Sequence, residues 1–160
     1  MKKIPITKTG FDKLKKDLEY LKTVSLPENI RDIEQARSHG DISENAEYSA
    51  AKERQSFIHG KMQELENNLA SSQVIDLKEI SDERVVFGST VRIEEARTGK
   101  ETRYHLVGPF ESDISKNKIS VTSPIGKAMI GKEIGDEVTV KAPGGIREFQ
   151  IVDICIEEII

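Results

Sequence analysis

The 160-residue chain is 36% hydrophobic and 5% aromatic, lacks Trp and is 32% charged; that suits one compact domain or two small ones and argues against a single large core. Its 24 basic and 28 acidic residues leave a formal charge of −4, which speaks against a free-standing DNA binder that gains affinity by releasing counterions over a basic face, though not against work on a nucleic acid held by something else. The one cysteine, Cys155, rules out an internal disulfide framework and a multi-cysteine zinc site; no apolar run has the length of a membrane span and no signal-peptide core follows Met1-Lys2-Lys3, so a cytoplasmic location is expected.

From Thr9 to about Gln73 the apolar residues recur at helical spacing. Phe11, Leu14, Leu18 and Leu21 start a stripe that Ile30 and Ile33 continue; Ala51, Ile58, Met62, Leu65 and Leu69 form a second one. Between them Ser38-His39-Gly40-Asp41 reads as a helix stop and a new start, with Gly at the C-terminal cap and Asp as the next N-cap. So short a connection forces the two helices antiparallel. With about 27 residues per arm the hairpin would reach roughly 40 Å, burying one narrow coiled-coil seam and leaving its charged faces wet. Pro27 lies within the first arm, where a kink or short break is expected.

Beyond Asp76 the texture changes to short alternating segments: Thr90–Glu94, Thr102–Val107, Lys118–Val121, Glu137–Lys141 and Glu148–Ile156. Turn signals separate them at Thr98-Gly99, Lys116-Asn117 and Pro143-Gly144-Gly145. Pro124–Ile130 reads as one short helix capped by Ser123 and closed by Gly131. The expected architecture is therefore α+β with two domains. Residues 1–76 form an antiparallel coiled-coil hairpin, and residues 77–160 a small antiparallel sheet packed on one helix. Their formal charges are −1 (12 basic, 13 acidic) and −3 (12 basic, 15 acidic), so any basic surface must be local.

The densest polar constellation is Gly40-Asp41-Ile42-Ser43-Glu44-Asn45-Ala46-Glu47-Tyr48, at the turn of the hairpin. Asp41 and Glu44 are three apart, so both carboxylates fall on one side of a first helical turn. Two hard oxygen ligands so placed can share a magnesium ion, as half a site that a partner completes. The same spacing is also that of a capping box, in which both acids serve the helix start and its dipole. Arg37, Lys52 and Arg54 flank the turn and could steer a phosphate backbone, or be solvated helix charges. Tyr48 could stack on a base or simply pack.

A self-contained active site finds little support. His39, His59 and His105 fall in no nucleophile or zinc pattern, and no glycine-rich nucleotide loop is present. Cys155, inside an apolar strand, reads as a small core or edge residue.

The run from Asn29 to Gln55, above all Ala36 to Tyr48, resembles the signature of bacterial GreA-type transcript cleavage factors. Ile4-Pro5-Ile6-Thr7, Phe87–Val91, Ile119–Lys132 and Ala142–Gly145 resemble that family too. The resemblance implies an FKBP-like fold for the C-terminal domain. It implies docking at the rim of the RNA polymerase secondary channel, with the coiled coil reaching through it to the catalytic centre. There Asp41 and Glu44 would help hold the second magnesium ion of the polymerase, with no cofactor bound by the factor alone, so that the polymerase cuts backtracked RNA near its 3′ end. Arg37 and Lys52 match basic positions near the RNA 3′ segment, Tyr48 is a further RNA-contacting candidate, and Ser123, Pro124 and Ile125 match a polymerase-docking surface. On this reading the protein is an accessory factor rather than an enzyme, and a monomer when engaged. Two rivals remain: a channel-binding regulator that inhibits without promoting cleavage, and a prolyl isomerase or chaperone built on the C-terminal fold, whose aromatic supply is just Phe87, Tyr104, Phe110 and Phe149.

Overall fold

The computed structural model describes residues 3–40 and 45–156. Contacts divide the chain into two units, Phe11–Ser71 and, drawn from both ends of the chain, Met1–Gly10 with Ser72–Ile160. The segments Ile4–Thr7 and Ser72–Ile75, which sequence alone groups with the hairpin, thus sit in the second unit.

In the helical unit, α1 (Lys8–Tyr20) runs through a π-helical stretch, Leu21–Ser25, into α2 (Leu26–Arg37), and α3 (Ala46–Ser71) returns. Contacts between the arms fix the antiparallel sense. Lys22 Nζ lies 3.6 Å from Glu66, Asn29 Nδ2 donates to the Ala51 carbonyl at 2.9 Å, and Asn45 Nδ2 donates to that of Ala36 at 2.6 Å. Leu14, Ile33 and Ala36 are buried on the first arm, and Ala51, Ile58 and Leu65, seven apart, on the second. Burying Ile58 or Leu65 contributes about 2 kcal/mol.

Pro27 does not stop the helix, but the α-helical pattern is interrupted just before it, which is the short break expected there. It occupies the first turn of α2, where its missing N–H is tolerated, and the turn before it widens so that the Leu26 N–H reaches back to the Leu21 carbonyl. A π turn takes up one extra residue, which rotates everything beyond it. Ile30, expected in the seam, is consequently 43% exposed, while Asn29 is fully buried.

The second unit holds a five-stranded sheet in the order β5-β4-β3-β7-β6, with β3 Ser89–Glu95, β4 Glu101–Val107, β5 Lys118–Ser120, β6 Glu137–Ala142 and β7 Gly145–Ile156. The expected strands are present, but the sheet is mixed rather than wholly antiparallel, since β5 pairs parallel to β4. A two-residue hairpin cannot join parallel neighbours; here the chain from Gly108 to Asn117 swings round through a short 3-10 turn, Ile114–Lys116, and re-enters in the same direction. Asn117 ends that turn at φ 55, a left-handed conformation that Asn tolerates.

The inward faces of these strands bring Val91, Ile93, Leu106, Val138, Ile151 and Ile154 onto Met129 of α4 (Pro124–Met129) and onto Val85. Sequence patterning does not reveal the parallel pair β1 (Ile4–Thr7) and β2 (Ser72–Ile75), in register from Ile4↔Ser72 to Thr7↔Ile75. Each has just four residues and adjoins a long helix, so neither shows a period of its own. Ile6 is nonetheless fully buried.

Candidate functional site at the turn of the helical hairpin

The last turn of α2 closes with the Ser38 N–H on the Glu34 and Gln35 carbonyls and the His39 N–H on that of Ala36. Gly40 then adopts φ +111, a conformation costly for other residues, and the chain leaves the helix there. Asp41 and Glu44, the acidic pair proposed for metal chemistry, lie outside the described residues.

Across the turn, the helix start expected at Asp41 is found at Asn45. The Asn45 Oδ1 accepts the Tyr48 N–H at 3.1 Å and its carbonyl accepts that of Ser49, so Asn45 is the cap of α3. Its amide nitrogen meanwhile donates to the Ala36 carbonyl on the opposite arm. One side chain therefore starts the second helix and ties it to the first. The signal available in the sequence is an Asn directly before Ala46-Glu47-Tyr48, which competes with Asp41 for the same duty.

Two of the flanking candidates come together. The Arg37 guanidinium lies 5.8 Å from the centre of the Tyr48 ring, a cation–π pair made between the end of one arm and the start of the other. His39 Nδ1 lies 3.1 Å from Glu47 Oε2 on an exposed face. Lys52 donates its ammonium to the Gln55 side chain at 2.9 Å. Arg54 and His59 are exposed along α3. The described part of the turn thus carries two side-chain pairs, Arg37 with Tyr48 and His39 with Glu47, close in sequence to the Asp41–Glu44 segment.

The docking candidates lie in the sheet unit at the start of α4. Ser123 Oγ accepts the Gly126 N–H at 3.1 Å and donates to the Ser120 carbonyl at 2.6 Å, and Pro124 follows in the first helical turn. Pro124 is exposed, whereas Ile125 packs against the core. Cys155 is not a core residue: it is half-buried on the face of β7 opposite to Ile154, with Arg103 Nη2 3.8 Å from its sulfur and Thr90 as its cross-strand neighbour. Among the described residues no three His, Cys, Asp or Glu side chains cluster as a metal site, and no helix is long and apolar enough to cross a membrane.

Two family models match this chain. The one described as "Transcription elongation factor, N-terminal" covers residues 4–74 and that described as "Transcription elongation factor, GreA/GreB, C-term" covers residues 80–155. The chain is 73% identical over 156 residues to the transcription elongation factor GreA of Syntrophus aciditrophicus (strain SB), spanning 98% of this chain and 97% of that protein. It is 51% identical over 155 residues to the transcription elongation factor GreA of Neisseria meningitidis serogroup A / serotype 4A, with 96% and 98% covered. Among solved structures, that of GreA factor homolog 1 (Gfh1) of Thermus thermophilus is 29% identical with a TM-score of 0.44, covering 96% of this chain and 99% of that one.

Proposed function

Because the chain belongs to the GreA/GreB family of transcription elongation factors, we propose that it binds RNA polymerase, inserts the turn of its hairpin through the secondary channel and stimulates magnesium-dependent cleavage of the 3′ end of backtracked RNA. The observation that carries this reading is the tied end of the hairpin, where Asn45 caps α3 and grips α2 while Arg37 and Tyr48 pair beside the Asp41–Glu44 segment. A rigid support on both sides is what a pair of carboxylates needs if they are to be delivered to a fixed place in another protein.

The donor set suits magnesium. Two carboxylates three residues apart are hard oxygen ligands of the kind that ion takes while keeping water and phosphate oxygens in its remaining positions. Shared with the polymerase, the metal would supply a polarised water and charge neutralisation at the scissile phosphate. Asp41 offers a direct oxygen ligand, and Glu44 either a ligand through water or a general base for the proton that the attacking water gives up. Arg37 and Lys52 would contact RNA phosphates, which position the strand without reading its sequence. Tyr48 would offer a ring for a base to stack on, its own face already polarised by Arg37. The chemistry belongs to the polymerase, so the protein is an accessory factor, with Ser123, Pro124 and Ile125 as its proposed docking patch.

The test is Asp41→Asn, compared with wild type on a backtracked elongation complex with magnesium. Asn is a poor magnesium ligand, so release of short 3′ RNA fragments is expected to fall at least about a hundredfold, as for the loss of a metal ligand or its immediate support. Thermal unfolding should stay within about 0.5 kcal/mol of wild type, as for a surface substitution. A mutant that still cleaves at the wild-type rate refutes the metal role. Wild-type protein that slows the polymerase without releasing fragments points instead to the inhibitory regulator.

A further inference from the structure

Helix α1 begins with an incomplete version of a familiar device. Thr7 precedes it, and the Thr7 hydroxyl accepts the Gly10 N–H at 3.0 Å, the bond from cap to third helical residue. In a capping box that third residue is Glu or Gln and reaches back to the N–H of the cap. Gly10 has no side chain to do so.

The missing carboxylate comes from far along the chain. Glu111, 104 residues away, accepts the Thr7 N–H on Oε2 at 2.8 Å and receives the Thr7 hydroxyl proton on Oε1. The same Oε2 takes the Gly108 N–H at 3.0 Å, which binds the carboxylate to the loop that follows β4. One glycine makes room for the carboxylate, and a second lets the loop that holds it approach the backbone before α1. A Cβ on Gly10 would lie 2.3 Å from Glu111 Oε1, and one on Gly108 would lie 1.9 Å from the Pro5 carbonyl oxygen. The first would displace the carboxylate; the second would meet backbone that cannot yield. Thr7 itself is 5% exposed, so its N–H, without Glu111, would be a buried donor lacking an acceptor.

We infer that Glu111 is a positioning residue that completes the α1 capping box from a distance, with Gly10 as the space it requires and the Gly108 N–H as its anchor, and that it acts in transcript cleavage through the first turn of the helix from which the hairpin grows. The cleavage part rests on the function proposed above; the capping part does not.

Full-length Glu111→Ala, Gly10→Ala and Thr7→Ser are to be compared with wild type by amide hydrogen exchange, and by fragment release from backtracked complexes at limiting and saturating factor. Exchange at the Thr7 and Gly10 amides is expected to quicken about tenfold or more in Glu111→Ala and Gly10→Ala, the loss of bonds to a charged group. Gly10→Ala is diagnostic, since Ala is the better helix former and can loosen this turn just by pushing the carboxylate away. The saturating cleavage rate should fall about fivefold or more in both, with the half-saturating concentration changed by less than about twofold. Thr7→Ser keeps the hydroxyl and should match wild type throughout. If Glu111→Ala does not fold, Glu111→Gln, which keeps one acceptor, serves in its place. Wild-type exchange rates in the Glu111 and Gly10 variants overturn the capping claim. Faster exchange with an unchanged saturating rate, or a loss confined to the half-saturating concentration, overturns the role in cleavage. If wild type releases no fragments, the proposed function falls, while the exchange data still decide the capping claim.

Discussion

Replacing Asn29 by Leu should make the helical unit more stable. The Asn29 side chain is fully buried, one of its amide hydrogens is bonded to the Ala51 carbonyl at 2.9 Å, and its Oδ1 meets no partner. Losing the one hydrogen bond costs about 1 kcal/mol, while removing an unpaired buried carbonyl returns about 1–3 kcal/mol. Burying an apolar side chain there adds up to about 2 kcal/mol more, reduced by the strain of fitting a differently shaped side chain into a finished seam. A net gain of about 2 kcal/mol follows. At an m-value near 1 kcal/mol/M in urea it raises the midpoint by about 2 M without changing the slope. Urea unfolding of the full chain followed by far-UV circular dichroism reads this directly, with Asn29→Ala as a control that removes the same bond but fills no space. A loss of more than about 1 kcal/mol in Asn29→Leu would refute the reasoning, because the oxygen would then have to be satisfied by a buried water that Leu expels.

Asn45→Ala removes both a helix cap and a bridge between the arms and should cost about 1–2 kcal/mol in the same assay. Asn45→Asp should recover just the cap, since a carboxylate cannot donate to the Ala36 carbonyl. The Asp113 carboxyl is held below its ordinary value, first by the Ser115 hydroxyl and, outweighing the opposing effect of desolvation, also by the Ser115 N–H and by Lys116 and Lys118. A carboxylate whose folded pKa is depressed supports the fold above its unfolded pKa and loses that support as pH falls through the folded value. Ser115→Ala should let the Asp113 pKa rise toward normal in an NMR titration and bring the local acid transition to higher pH.

Most strands, the short helix and the antiparallel hairpin are legible in the sequence because each carries its own period or turn chemistry. Val91 and Ile93 alternate with Thr90 and Arg92, and Ser123-Pro124 opens a helix in the usual way. The errors arise where a local rule is overruled by something that local sequence does not encode. Ile30 reads as seam because its spacing assumes an unbroken α-helix, and the π turn before Pro27 rotates Asn29 into that place instead. The parallel setting of β5 depends on the path of a loop rather than on strand composition. At the candidate site, Gly40 as the helix stop is readable from residue type, but which of Asp41 and Asn45 caps the next helix is not, since both have the required side chain. The pairing of Arg37 with Tyr48 depends on the register between two arms. The role of Glu111 is hidden because Thr7, the cap it completes, lies 104 residues away.

The parallel pairing of β1 with β2 bears on how this chain can be taken apart. Because Thr7 and Ile75 are register partners, the places where the chain departs for the helices and comes back are adjacent strands, about 4.8 Å apart. In chain order the hairpin is a cassette inserted within the sequence of another unit rather than a bead strung before it. A single cut after residue 76 cannot separate the two, for it strips the remaining piece of both short strands and of the Thr7 hydroxyl that Glu111 holds. Excising the helices from within, and closing the gap with a few flexible residues, preserves every strand. The same two points of attachment would accept a hairpin of different length or tip chemistry.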